Sequence, residues 1–200
     1  MDPTNSFLTP PRASAAVQQL YDHDRTDLGY VMNASTVWAH APHAHDALFD
    51  LLGEAAQAAS LTYRQRGVLV SACASTLGDS YCSLAWGSRL ANAASAEIAA
   101  GVLRGDDDLL DPQERALARW ARQITHDPNS TTLAEVQALR DVGLDETQIF
   151  AITVFVALRI AFATVNDALG ARPDRALAEN APDAVRAVVN FGRPIGNACV

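Results

Sequence analysis

The chain has 200 residues, of which 49% are apolar and only 6% aromatic, and it carries a net charge of −8. That length suits one domain with short arms and is enough to bury a sizeable core. All fifteen cations are arginines and they form no basic stripe, so nucleic acid is not expected as a partner. No uninterrupted apolar run has membrane-spanning length; the best stretch, 149–169, is broken by Thr153, Arg159, Thr164, Asn166 and Asp167. The first residues lack the charged start and apolar core of a secretory signal, so a cytoplasmic setting without membrane attachment is expected. Three cysteines, Cys73, Cys82 and Cys199, are too few and odd in number for a disulfide framework, and they read as free thiols.

Residues 1–12 read as an arm, because Pro3, Pro10 and Pro11 break any helix. A short helix is expected over 13–21, and the polar stretch 22–33 reads as a loop. A helical turn over 35–40 ends at the Ala41-Pro42 step. Apolar residues at helical spacing then mark helices over 43–59 and 61–77, the second with Val68, Leu69, Ala72 and Cys73 on one face. Gly78 stops that helix, and Asp79 or Ser80 caps the next, which runs to about Asn92. A short helix over 95–103 leads into an acidic turn, Asp106 to Asp108, which reads as solvated. Asp111-Pro112 is a strong helix start, and that helix runs to about Thr125, with His126 at its C-terminal end. Helices over 133–142 and 146–169 follow, ended by Gly143 and Gly170, and the tail holds a last helix over 182–190. No alternating pattern marks a strand.

The order of these segments resembles the peroxidase-related branch of the alkyl hydroperoxidase D and carboxymuconolactone decarboxylase superfamily. The similarity runs from about Leu20 to Asp174. It is carried by the entry stretch YDHDRTDLGYVMN, by 61–67, by GDSYCSLAW over 78–86, by 117–143 with its His126-Asp127-Pro128 loop, and by 145–174. The resemblance implies an all-α fold in one domain over 13–180, flanked by the arm and by a C-terminal helix and tail over 181–200. It also implies a homo-oligomer (dimer, trimer or hexamer), a small-molecule substrate, and no cofactor or metal.

Redox members of that family use a C-x-x-C pair with a downstream histidine and an upstream glutamate. A helix N-terminus favours thiolate, and the acid–base groups move protons while the sulfurs cycle. Laid on this chain, the second cysteine is Cys82, the first becomes Asp79, the histidine becomes Trp86 and the glutamate becomes Gly67. The usual two-cysteine cycle therefore cannot run locally. Cys73 reads as a core residue; the alternative source of a second thiol is Cys199, in a tail with the reach of a neighbouring subunit. At Cys82 the helix dipole favours thiolate by roughly 0.3–1 kcal/mol, and the charge of Asp79, one turn away, opposes it by a comparable amount. Asp79 reads as a cap and also as a carboxylate facing a pocket. Tyr81, Trp86, Arg159 and Gly67 are the expected pocket residues. Arg159, inside an apolar helix, implies either an ion pair or an anchor for an acidic substrate. Gly67 costs about 1 kcal/mol relative to alanine in a helix and so signals room for a ligand or a neighbouring helix. The histidines of the 40–45 stretch have no zinc-ligand spacing.

Three functions follow as expectations. One is a thiol-dependent peroxidase using Cys82, with Asp79 beside it. Another is a cofactor-free lyase, isomerase or decarboxylase with Asp79 as acid or base. The third is a non-catalytic relative that binds a small molecule.

Overall fold

A computed structural model describes residues 5–196. Among them are eleven α-helices, one 3-10 turn and no strand. The helices are α1 (Ala15–Leu28), α2 (Asn33–Trp38), α3 (Pro42–Ala58), α4 (Tyr63–Leu77), α5 (Ser80–Ala93) and α6 (Ala96–Arg104). They continue with α7 (Pro112–His126), α8 (Leu133–Asp141), α9 (Glu146–Ala168), α10 (Arg175–Asn180) and α11 (Asp183–Val188).

Helix α4 is the centre. A capping box between Thr62 and Gln65 starts it, and every residue from Gly67 to Ala74 is buried. A helix that is apolar on all sides must be enclosed, and α4 packs against α5, α7, α9 and α6. Helix α3 lies along α9, and α11 packs on α6 and α5. Gly67 sits where α5 comes closest: a Cβ there would stand 3.1 Å from Leu90 Cβ. The space that the missing side chain leaves is taken by a neighbouring helix and not by a ligand.

The α4–α5 corner is closed from outside by chain-end segments. Ser80 donates a hydrogen bond to the Arg193 carbonyl at 2.8 Å. Gly192 has φ 72°, and a Cβ there would collide with the Gly78 carbonyl oxygen and approach Ser80 N to 2.8 Å. Arg193 donates in turn to the Asp167 carbonyl at the end of α9 and lies over the Phe7 ring at 4.7 Å. The Phe7 N–H donates to the Leu169 carbonyl at 2.8 Å.

Several expectations need correction. The polar stretch 22–33 is not all loop, because α1 continues to Leu28 before Gly29 stops it. Asp22 accepts from Gln18 at 2.7 Å and from Arg25 at 2.9 Å, which stabilises the stretch as the wet face of a helix. Helix α10 was not foreseen. Asp107, expected in a solvated turn, instead takes both guanidinium nitrogens of Arg122 at 2.6 and 2.9 Å. By length and composition α9 is apolar enough to cross a membrane, so the polar interruptions exclude less than expected. Here α9 packs on α3, α4 and α7, and buries Arg159 and Asn166. The expectation for Cys199 lies outside the described residues.

Leu90 is fully buried and cannot retreat from an added methyl group. Gly67→Ala is therefore expected to lower stability by ~1–3 kcal/mol despite its better helix propensity, read as an earlier midpoint in denaturant unfolding.

Candidate functional site

The turn from α4 to α5 places Asp79 at the N-cap of α5, where its Oδ1 accepts the Cys82 N–H at 3.0 Å. Asp79 has no exposed surface, and its Oδ2 has no hydrogen-bond partner. Burial raises the Asp79 pKa, opposed by the Cys82 thiol facing it and by the N–H groups of Cys82 and Tyr81. The thiol itself is pushed well above the ordinary range, first by burial and then by the charge and hydrogen bonding of Asp79; Arg159 pulls weakly the other way. Burial also pushes Cys73 up to about 11. Both cysteines are free. The sequence suggested a balance between dipole and carboxylate at Cys82, but desolvation outweighs both. It depends on residues distant in the chain, among them Leu20, Trp38 and Phe162, which form one buried cluster with Cys82 and which no local pattern encodes.

Arg159 of α9 is 9% exposed and, of the two alternatives the sequence left open, makes no ion pair among the described residues. Its Nε has no acceptor. The guanidinium lies 4.8 Å from the Trp86 ring, 5.5 Å from Phe155 and 5.7 Å from Phe49. Arg89 stacks on Trp86 as well, at 5.0 Å. Burial lowers the Arg159 pKa to about 10; the Cys82 and Cys73 thiols oppose this, while the charges of Arg89 and Arg66 add to it. The structure thus brings Cys82, Trp86 and Arg159 into one neighbourhood, joined by Arg66, Arg89, Phe49 and Phe155. Sequence reasoning missed these four. Arg89 was within reach, since it stands three residues after Trp86 on a helix and so on the same face.

Two expected pocket residues lie elsewhere. Tyr81 is buried and donates its hydroxyl hydrogen to Asp174, while its oxygen accepts the Ala34 N–H at 3.3 Å. Asp174 also accepts the Asn33 N–H at 2.9 Å. Tyr81 therefore ties α5 to the start of α2. Gly67 faces Leu90, as described above. His45 packs on Phe49 at 4.5 Å and on Trp38 at 5.9 Å.

A cleft of about 840 Å³ between α7 and α8 is lined by Arg115, Arg119, Trp120, Arg122 and His126, among others. It contains none of Asp79, Cys82 and Arg159. Of its arginines, Arg122 pairs with Asp107, Arg119 is exposed, and Arg115 donates one terminal nitrogen to the Leu110 carbonyl while its Nε has no partner among the described residues. Buried polar atoms without partners occur on α7 (Arg115 Nε, Thr125 Oγ1) as well as at Asp79 Oδ2, Ser83 Oγ and Arg159 Nε; the candidate site is placed beside α5 because Cys82 and Asp79 are there.

No family model and no curated protein matches the chain. Solved structures do. A peroxidase-related protein from Ralstonia eutropha JMP134, described as an alkylhydroperoxidase AhpD core, aligns with TM-score 0.69 and 19% identity over 96% of this chain and 100% of its own. A peroxidase-related protein from Silicibacter sp. TM1040 aligns with TM-score 0.77 and 18% identity over 88% of this chain and 95% of its own. The fold is that of the AhpD core. At these identities the likeness extends to the backbone architecture, and the chemistry of the site has to be read from its own side chains.

Burial raises Asp79, Asp174 and Asp167, the last to about 6. A carboxyl whose pKa is raised on folding binds its proton more tightly in the folded state. Its stabilising contribution is complete below the unfolded value and is lost as pH rises through the folded one. The thermal midpoint is therefore expected to be higher at about pH 5 than at about pH 8. Asp79→Asn keeps an oxygen for the cap and should flatten this dependence, raising stability on the alkaline side. A midpoint that climbs steadily with pH in the parent protein would contradict this account of the three carboxyls.

Proposed function

We propose that this chain is an AhpD-fold protein that binds a small organic molecule beside α5 and does not run a two-cysteine redox cycle. The observation that carries this reading is the state of Cys82: a buried thiol whose pKa is raised, with Asp79 where a partner cysteine would stand. A thiol with a pKa above about 9 is only about 1% thiolate or less at neutral pH, and the thiolate is the nucleophile. Two buried polar atoms in the neighbourhood, Asp79 Oδ2 and Arg159 Nε, lack hydrogen-bond partners. Buried polar groups are ordinarily satisfied, and a bound molecule is one way to satisfy them. The homo-oligomer implied by the family resemblance belongs to the same proposal; the exposed Phe150, Ala157 and Ala161 on the outer face of α9 support it.

A second reading has one specific feature in its favour. Cys82 stands in the first turn of α5 facing the Asp79 carboxylate. In that reading the sulfur attacks a hydroperoxide, the S–O bond forms as the O–O bond breaks, and Asp79 relays the thiol proton to the departing alcohol. The resulting sulfenic acid is returned to thiol by two equivalents of an external thiol, with release of water and a disulfide.

Hydroperoxide consumption in the presence of a small thiol separates the two. The binding reading expects a rate at the uncatalysed background, with Cys82→Ser identical to the parent. Turnover that disappears in Cys82→Ser would replace it with the single-thiol peroxidase.

A further inference from the structure

A guanidinium taken out of water is ordinarily paired with a carboxylate or fully hydrogen bonded. Among the described residues Arg159 is neither, although the chain is rich in acidic residues, 23 in all. Its surroundings are three aromatic faces, Trp86, Phe155 and Phe49, and two thiols. Attraction to aromatic faces offsets only part of the loss of hydration. Arg66 and Arg89 make the position worse, since both repel it. The Arg66 Nε–H is spent on the Leu61 carbonyl at 3.2 Å, and neither Arg66 nor Arg89 has a salt-bridge partner among the described residues. An acidic protein has therefore stacked two arginines, Arg159 and Arg89, on one tryptophan with the charge of Arg66 acting on the first, and none of the three has a salt bridge among the described residues. The edge of this cluster is apolar and partly open: Phe49 is 37% exposed, and Tyr63, whose ring lies 6.0 Å from Trp86, is 53% exposed.

We infer that Arg159 is the anchor of a binding site for a small organic carboxylate with a flat apolar body. The guanidinium takes the carboxylate in the two-pronged geometry that arginine offers and lysine does not. Arg66 and Arg89 supply the positive field that draws the anion in. The body of the ligand lies against Trp86, Phe49 and Tyr63, whose rings prefer flat partners. Binding supplies the negative charge that the fold withholds. The inference rests on the binding reading above and adds the ligand's charge and shape.

The test uses the full chain, with benzoate and naphthoate as probes, benzamide as the uncharged match to benzoate, and inorganic phosphate as the bare anion. Binding is followed by calorimetry and by the shift of the thermal midpoint with probe concentration. The carboxylates are expected to bind and to raise the midpoint, with naphthoate tighter than benzoate and benzamide and phosphate without effect. Arg159→Met should weaken carboxylate binding roughly tenfold or more, yet raise the midpoint of the empty protein, because it removes a buried charge that has no partner. A purely structural arginine predicts the opposite change in midpoint. Arg89→Gln, on the partly buried flank, should fold normally and weaken binding by a few-fold.

Failure of both carboxylates to bind overturns the proposal. So does an Arg159→Met variant that binds them as the parent does. Equal binding of benzamide removes the anion requirement but leaves the small-molecule reading standing. Equal binding of phosphate removes the requirement for a flat body. Hydroperoxide turnover dependent on Cys82 would overturn the binding reading without touching the carboxylate site, so the two can fail separately.

Discussion

Helix α4 has no free face across Gly67–Ala74, and the other helices are arranged around that fact. Enclosure is possible because residues along it are small, so that α5 approaches at Gly67 closely enough to seat Leu90 where a side chain would otherwise be. That approach sets the position of α5. Since α5 begins immediately after the Gly78 corner, it also fixes Asp79 and Cys82 deep against the core. The segment around Gly192 and Arg193 then closes the outer side of the corner. A helix N-terminus that would ordinarily be wet becomes dry.

The electrostatics follow from that dryness. Removing water disfavours whichever form of a group is charged, so the same cause raises Asp79 and Cys82 and lowers Arg159. Asp79 has a compensating hydrogen bond from the Cys82 N–H, and Cys82 escapes the penalty by keeping its proton. Arg159 has aromatic rings and no counter-ion. It has neither a hydrogen bond at Nε nor a salt-bridge partner among the described residues, which is why the ligand inference rests on it. The four positions that line up with the redox motif of the family the sequence resembles do different things here. Asp79 caps a helix, Cys82 is a buried thiol, Trp86 is a stacking surface for two arginines, and Gly67 is a contact point between helices.

What the sequence revealed was what local chemistry controls. The Asp79 cap, the Gly78 stop and the Asp111-Pro112 start are each decided within a few residues, and the helical core of the fold could be read from them and from apolar spacing. The extent of α1 could not, because a run of charged residues looks like a loop until Gln18, Asp22 and Arg25 are seen to bridge successive turns. The partner of Tyr81 is Asp174, 93 residues away, and no spacing rule reaches that far. Arg159 was singled out correctly as unusual, but its lack of a partner is a property of everything that packs around it. The depth of burial at Cys82, which decides its chemistry, depends on distant chain segments converging on one corner.

The central claim is that the corner around α5 is dry enough to hold Cys82 as a neutral thiol. The direct measurement is the ultraviolet absorbance of thiolate as a function of pH in the folded protein, taken as the difference between the parent chain and Cys82→Ser. The account predicts no step from Cys82 up to the ordinary thiol value of about 8.5, with ionisation only beyond it. A Cys82 step well below that value in the folded protein would contradict it.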